Sequence, residues 1–486
     1  MRLFLRILAL LLALLLIVLV VNTFRLTPHQ LINVPPAAPI SIPDSATQRL
    51  AGAIRIPTVS YTDYTLTDTT QFDKFLAYIQ TAFPLVHQRL KHETFNQYGL
   101  LFEWKGRNTN LKPILLMGHY DVVPVIQGTQ TMWKRPPFGG IIEGDYLYGR
   151  GTLDDKMSVI ALLESTEYLL RTNFQPERTL FLAFGPDEET SGRGAQTIAA
   201  ALKKRNISLD YILDEGGVIK TEGVAGLNKP VALIGISEKG YLSLEISAIG
   251  KGGHSSMPPA QTSIGMVAEA VSRLEHNPFP SRLDGGVDRL LDYLASEVPF
   301  GQRMVLTNRW LFGPLIKQTI AQTKSGNASI RTTTAPTIFR AGAKDNVLPI
   351  DATATINFRL LPGDTVEGVI ERVKQVIDND SLSVTILGKG NNPAAVSDPD
   401  SPSFLTIHRT IRSIFPDVVV APYVMLGATD AKFYAAVSPA IYRFSPIPLN
   451  EAETQSIHGT NERIRLIDYQ TMIRFYVALI RNSQSN

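Results

Sequence analysis

The stretch TLFLAFGPDEETSG, residues 179–192, sets an unusual condition on any fold this chain adopts. Leu180 to Phe184 is an unbroken apolar run, and Asp187, Glu188 and Glu189 follow it almost at once. A run that apolar without alternation reads as a strand covered on both faces, the pattern of a central parallel strand. Such a strand delivers three acids to the point where the chain leaves the core. Acids gathered there repel one another and resist burial unless cations offset them. PILLMG (residues 113–118) and LDYILDEGG (209–217) are further short apolar runs closed by glycine or acid. Helix-patterned segments alternate with them, as in DDKMSVIALLESTEYLLR (154–171), which predicts an α/β domain with a mixed, mostly parallel sheet. Open parallel sheets place ligands at the carboxyl ends of their strands, where these acids lie.

The chain has 486 residues, too many for one ordinary core. Around Ser237 the texture changes: YLSLEISAIG and DATATINFRL alternate apolar and polar residues, with the helical pattern TSIGMVAEAVSRLEH between them. This predicts a second, smaller α+β domain over 238–390, inserted between two parts of the first domain at 45–237 and 391–486. Within it, the apolar stretch NRWLFGPLIKQTIAQ has the character of a surface that covers a site or a partner.

Residues 1–25, MRLFLRILALLLALLLIVLVVNTFR, carry Arg2 and Arg6 ahead of an apolar run close to the roughly 20 residues that span a bilayer. No small-x-small cleavage pattern follows Val21, so an uncleaved signal-anchor is favoured over a cleaved signal peptide. Basic residues stay on the cytoplasmic side, which puts the remainder on the extracytoplasmic side. Residues 26–44 hold Pro28, Pro35, Pro36, Pro39 and Pro43 and read as an extended linker. Net charge is +3 with no basic block, which argues against nucleic acid as a partner. There is no cysteine, so disulfides, thiolate metal sites and a cysteine nucleophile are excluded, and any metal is held by His, Asp and Glu.

Three strand ends, a helix start and a late loop carry those residue types. GHYDVVP places His119 two residues before Asp121, a carboxylate able to accept the second imidazole N–H. GRGTLDDK supplies Asp154 and Asp155 at a helix start, where capping alone accounts for one of them. The acidic triplet, ILDEGG and SIHGTNERI add Glu188, Glu189, Asp214, Glu215 and His458. A cysteine-free set of imidazoles and carboxylates suits two divalent ions, most simply zinc.

These motifs, in this order and spacing, closely resemble those of the aminoacylase and carboxypeptidase family of di-zinc metallopeptidases. ILDEGG and the long NRWLF segment are most similar to the carboxypeptidase S branch, with its N-acyl-amino-acid hydrolases and Gly-X carboxypeptidase. The resemblance implies a di-zinc exopeptidase-like catalytic domain with an inserted lid and dimerisation domain, and two Zn²⁺ per subunit. It implies that Asp154 bridges the two ions, that His119 and either Asp214 or Glu215 hold one, and that Glu189 and His458 hold the other. Asp214 is the favoured member of that pair. Glu188 becomes the general base and Asp121 the residue that orients His119. On the substrate side it implies His254 in GKGGHSSMPP for the oxyanion, often supplied across a homodimer, and Arg359 in INFRLLPGD for a free carboxylate. Asn346 in DNVLP, and Gly427 and Thr429 in MLGATDAKFY, complete the set. The expected activity is hydrolysis of an amide next to a free α-carboxylate, in a short peptide or an N-acyl amino acid. A catalytically inactive extracytoplasmic binding relative and a di-zinc aminopeptidase remain as alternatives. Retention of every ligand position opposes the first, and Arg359 opposes the second.

Overall fold

The structure, a computed structural model, describes residues 1–224 and 226–484. Its main sheet has ten strands. At its centre Leu180–Gly185, Ile114–His119, Ile212–Asp214 and Ile441–Arg443 lie side by side and parallel. Antiparallel neighbours Gly99–Trp104 on one side and Val231–Glu238 on the other make the sheet mixed. Every residue of Ile114–His119 and Leu180–Gly185 is buried, which explains their lack of alternation. Successive side chains still point to opposite faces. Ile114, Leu116, Leu180, Leu182 and Phe184 join the core beneath helix Lys156–Arg171. Leu115, Met117, Phe181 and Ala183 join a second cluster with Ile198 and Leu202 of helix Arg193–Lys204. Two covered faces leave the strand ends as the place where polar side chains converge.

A second sheet of four strands, in the order Thr333–Ala341, Asp351–Leu360, Gly240–Ile249, Leu382–Ile386, is antiparallel throughout. Its central strands bury alternate residues, Leu242, Leu244 and Ile246 against Ile356 and Phe358. Helices Ser263–His276 and Val366–Ile377 cover that face with Val267, Leu274, Val369 and Val373. The chain passes from one sheet to the other at Lys239, and returns beside Tyr241, whose backbone exchanges hydrogen bonds with Asn391.

The span 238–390, expected as one unit, holds two packing regions. Helix Gly285–Ala295 leaves the four-stranded sheet and packs on strand Val419–Met425 of the main sheet. With helix Arg309–Ile320 it forms a small cluster of Val287, Leu291, Ile316 and Ile330. The Pro-rich segment is extended, as its composition requires, but it is strapped to the body rather than free. Gln30 exchanges two hydrogen bonds with the backbone of Val420, and His29 stacks on Tyr293 with ring centroids 4.4 Å apart. The N-terminal helix Arg2–Phe24 is long and apolar enough to cross a membrane and is largely exposed.

Candidate metal centre and active site

His119 is the last residue of its strand, and the backbone there runs close to the neighbouring acidic loop. A Cβ on Gly118 would sit 2.6 Å from the Asp155 carboxylate, and one on Gly185 2.6 Å from that of Asp430. Glycine at both strand ends is what lets the acids come in under the backbone. His119 Nδ1 lies 3.0 Å from the Asp121 carbonyl oxygen and 3.3 Å from its carboxylate, so Nδ1–H is donated there and Nε2 is turned into the cluster. Nε2 faces Asp154 Oδ1 at 2.9 Å and Glu215 Oε1 at 3.7 Å. The other oxygen of Asp154 faces His458 Nε2 at 2.8 Å, and His458 is also 3.2 Å from Glu189 Oε2.

Asp154 therefore belongs to two trios, His119–Asp154–Glu215 and Asp154–Glu189–His458, each with its ligand atoms within 4.8 Å of one another. Glu189 Oε1 is buried without a hydrogen-bond partner among the described residues, an orphan that a cation satisfies. Nitrogen and carboxylate oxygen are the donors that zinc and similar divalent ions take, so the residues fit the group.

The electrostatics describe the same need. Burial pushes Glu188, Glu189 and Glu215 above the usual carboxylate range, and neighbouring acids add to the rise. Burial opposes ionisation of Asp154 too, yet the bonds from His119 and His458 hold it below that range. The same bonds, from Asp154 and then Glu189, raise His458 to about 10. The cluster lacks positive charge and draws it from whatever protons its imidazoles hold.

Between Asp214 and Glu215 the geometry discriminates. Asp214, the residue favoured from sequence, accepts hydrogen bonds from the backbone N–H groups of Glu215 and Ala431 and is turned away from the trio. Glu215 joins it instead. Glu188 lies beside the cluster, half-buried and in the field of His119, Asp430, Glu189 and Asp154.

Residues that sequence reasoning did not single out hold the candidate ligands in place. Ser60 Oγ donates to Asp121 at 2.6 Å, and the N–H groups of Glu188 and Glu189 donate to the same carboxylate. Glu462 accepts from the N–H groups of Gly151, Leu153 and Asp154, and pairs with Arg150 at 2.6 Å with both side chains buried. Arg150 also donates to the His458 carbonyl, so this pair ties the Asp154 loop to the His458 loop. Glu462 lies inside GTNERI and Arg150 inside GRGTLDDK; a buried opposite pair in two site motifs was the available signal.

The substrate-side residues lie elsewhere. His254 and Asn346 meet on an exposed two-stranded ribbon, where Ser255 N–H donates to the Asn346 carbonyl and His254 Nδ1 accepts from Ser256. Arg359 lies where the two sheets join, opposite Tyr241, with its guanidinium 5.0 Å from that ring's centroid. Gly427 is half-buried in the loop after Val419–Met425. Thr429 is fully buried, its N–H bound to Glu238 at 2.6 Å and its hydroxyl accepting from Ala431, so it acts as scaffold rather than as a free donor.

The sequence pattern of Peptidase family M20/M25/M40 matches residues 115–482. The chain is 42% identical over 444 residues to the human N-fatty-acyl-amino acid synthase/hydrolase PM20D1, covering 90% of this chain and 88% of that one. It is 32% identical to carboxypeptidase S of Saccharomyces cerevisiae, covering 90% and 84%. The crystal structure of the M20 family metallo-carboxypeptidase Sso-CP2 from Sulfolobus solfataricus superimposes with a TM-score of 0.66 at 19% identity, over 90% of this chain and 99% of that one. That superposition speaks to the fold, while the family match at 115–482 spans every motif that builds the two trios. The chain thus belongs to peptidase family M20/M25/M40.

Proposed function

We propose that this chain is a membrane-anchored, di-zinc amidohydrolase that cleaves the amide bond next to a free α-carboxylate, in an N-acyl amino acid or at the C-terminus of a short peptide. The observation that carries it is Asp154, which offers one oxygen to each of two candidate trios with Glu188 half-buried beside them. His119 and Glu215 would hold one cation and Glu189 and His458 the other. When bound, the pair supplies Lewis acidity toward a carbonyl and acidifies a water. Glu188 takes the proton of the attacking water on a carboxylate oxygen and passes it to the departing amide nitrogen. Asp121 keeps His119 in the tautomer whose Nε2 carries the lone pair. Arg359 grips the substrate carboxylate with its planar fork, and His254, Asn346 and Gly427 steady the acyl side. The four-stranded unit acts as a lid over the site, and its exposed ribbon as a contact for a second copy. The names of the human and yeast relatives support this substrate class.

The test is a screen of the purified chain on N-acyl amino acids and short peptides, each as free acid and as C-terminal amide. Activity should disappear with a chelator and return with zinc. Arg359→Ala should lower kcat/KM on the free acid by about 10²-fold, roughly 3 kcal/mol, and far less on the amide. Equal losses on acid and amide would remove the carboxylate clamp and favour an aminopeptidase. No turnover of any substrate at full metal occupancy would favour a binding module.

A further inference from the structure

Helix Arg309–Ile320 is apolar on both sides, which an ordinary surface helix is not. At about 100° per residue, Gly313, Ile316 and Ile320 share one side, and that side is packed into the cluster with Val287, Leu291 and Ile330. Trp310, Leu311 and Leu315 share the opposite side and are exposed, Trp310 by 61% and Leu315 by 53%. Phe24 and Phe300 are exposed too, with their rings 5.8 Å apart, where the N-terminal helix meets the helix that precedes Arg309–Ile320.

This surface adjoins the foot of the N-terminal helix. Asn308 Nδ2 donates to the Leu19 carbonyl at 3.1 Å, and its Oδ1 accepts from both Asn22 and the Trp310 indole. Thr23 and Thr307 hydroxyls meet at 3.2 Å. Leu19 and Thr23 are buried in this joint, whereas the helix before it projects freely. The free part, Leu3 to Val18, is about 24 Å long at 1.5 Å per residue, shorter than a hydrocarbon core of about 30 Å. For the anchor to span, its docked last turns must come down into the bilayer, and the surface bonded to them comes too. An indole with one apolar body and one bonded N–H is the side chain that settles at that depth.

We infer that Trp310, Leu311 and Leu315, with Phe24 and Phe300, form an interfacial surface immersed in the outer headgroup–acyl boundary of the bilayer that helix Arg2–Phe24 enters. The inference rests on the reading of that helix as an uncleaved anchor. Its occupant is lipid, because the surface adjoins a helix whose projecting part is apolar and largely exposed from Ile7 to Val18.

The absence of native cysteine permits a direct test in the full chain. Leu315→Cys, Leu10→Cys and Asp380→Cys variants would each carry a nitrobenzoxadiazole probe, in vesicles of phosphatidylcholine and phosphatidylglycerol with or without nitroxide-labelled lipid. All three positions are exposed, so the label displaces no packed side chain. The probes at 10 and 315 should lose at least half their emission to nitroxide lipid, as expected about 5–10 Å into the boundary. The probe at 380, on the far end of the four-stranded unit, should be unaffected. Quenching at 10 without quenching at 315 would overturn the inference and leave the anchor standing. A probe at 315 shielded from aqueous iodide but untouched by nitroxide lipid would overturn it in favour of a second protein copy. No quenching at either position would overturn the anchor and the inference together.

Discussion

Asp121 shows how little of a site lies in its ligands. Its carboxylate accepts from Ser60 and from the N–H groups of Glu188 and Glu189, while Nδ1–H of His119 points at the same residue. One acid thus fixes the imidazole of His119 and the backbone of two more acidic residues. The partners of each motif could be read from residue type and spacing, because histidine and carboxylate at strand ends have few other uses in a cysteine-free chain. Ser60 could not, since a serine sixty-one residues away carries no local signature. Nor could Glu215 be preferred over Asp214: adjacent residues at a strand end point to opposite sides, and which side is the cluster depends on the neighbouring loop at Ala431. The proposed roles separate cleanly in two variants. Glu188→Gln keeps the shape and removes the proton acceptor, so turnover should fall at least about 10²-fold with metal content unchanged by mass spectrometry. Glu215→Ala should instead lower the metal content. Near-normal turnover in the first variant would disprove the base, and full occupancy in the second would disprove the ligand.

Among the elements, helix Pro402–Ile414 carries a buried titratable group that the site does not use. Its N-terminus is set by Ser401, whose hydroxyl accepts from Phe404 N–H at 3.1 Å, and by Pro402 at the first position. Six residues into the helix, His408 is fully buried between Phe404 and Tyr293, and neither ring nitrogen has a partner among the described residues. Burial, then Arg412, Arg409 and His29, lowers its pKa to about 3. An unfolded histidine titrates near 6.5, so below that pH the unfolded chain binds a proton that the folded chain refuses. Stability is therefore lost as pH falls from about 6.5 toward 3, with a slope of up to about 1.4 kcal/mol per pH unit from this group. His408→Leu should flatten the acid limb by that amount in urea unfolding between about pH 6 and pH 4. Parallel limbs for the two proteins would mean that His408 becomes protonated without unfolding.

At the scale of the molecule, the N-terminal helix meets the body through its last turns, where polar bonds join Leu19, Asn22 and Thr23 to Asn308 and Thr307. Water can replace those bonds at Asn308 and Thr307. Removing residues 1–25 should therefore leave a chain that is soluble, active and metal-loaded, with Tm changed by about 3 °C or less, roughly 1 kcal/mol. The strap at Gln30 and His29 is retained in that variant and keeps the N-terminus on the body. Recovery of the shortened chain only as an insoluble or metal-free protein would show that the helix supports the fold as well as any membrane attachment.

What the amino-acid order settled was local or periodic. Unbroken apolar runs such as Leu180 to Phe184 meant strands covered on both faces, alternation in DATATINFRL meant a half-covered sheet, and acids at strand ends meant a cluster needing cations. What waited for the tertiary structure were pairings across long separations. The Arg150–Glu462 link, the turn of Asp214 toward Ala431, and the packing of helix Gly285–Ala295 on strand Val419–Met425 of the main sheet all join residues far apart in the chain. Spacing informs only as far as a helix turn or a strand pleat repeats. Beyond that reach, partners are chosen by which surfaces remain to be covered once the sheets have formed.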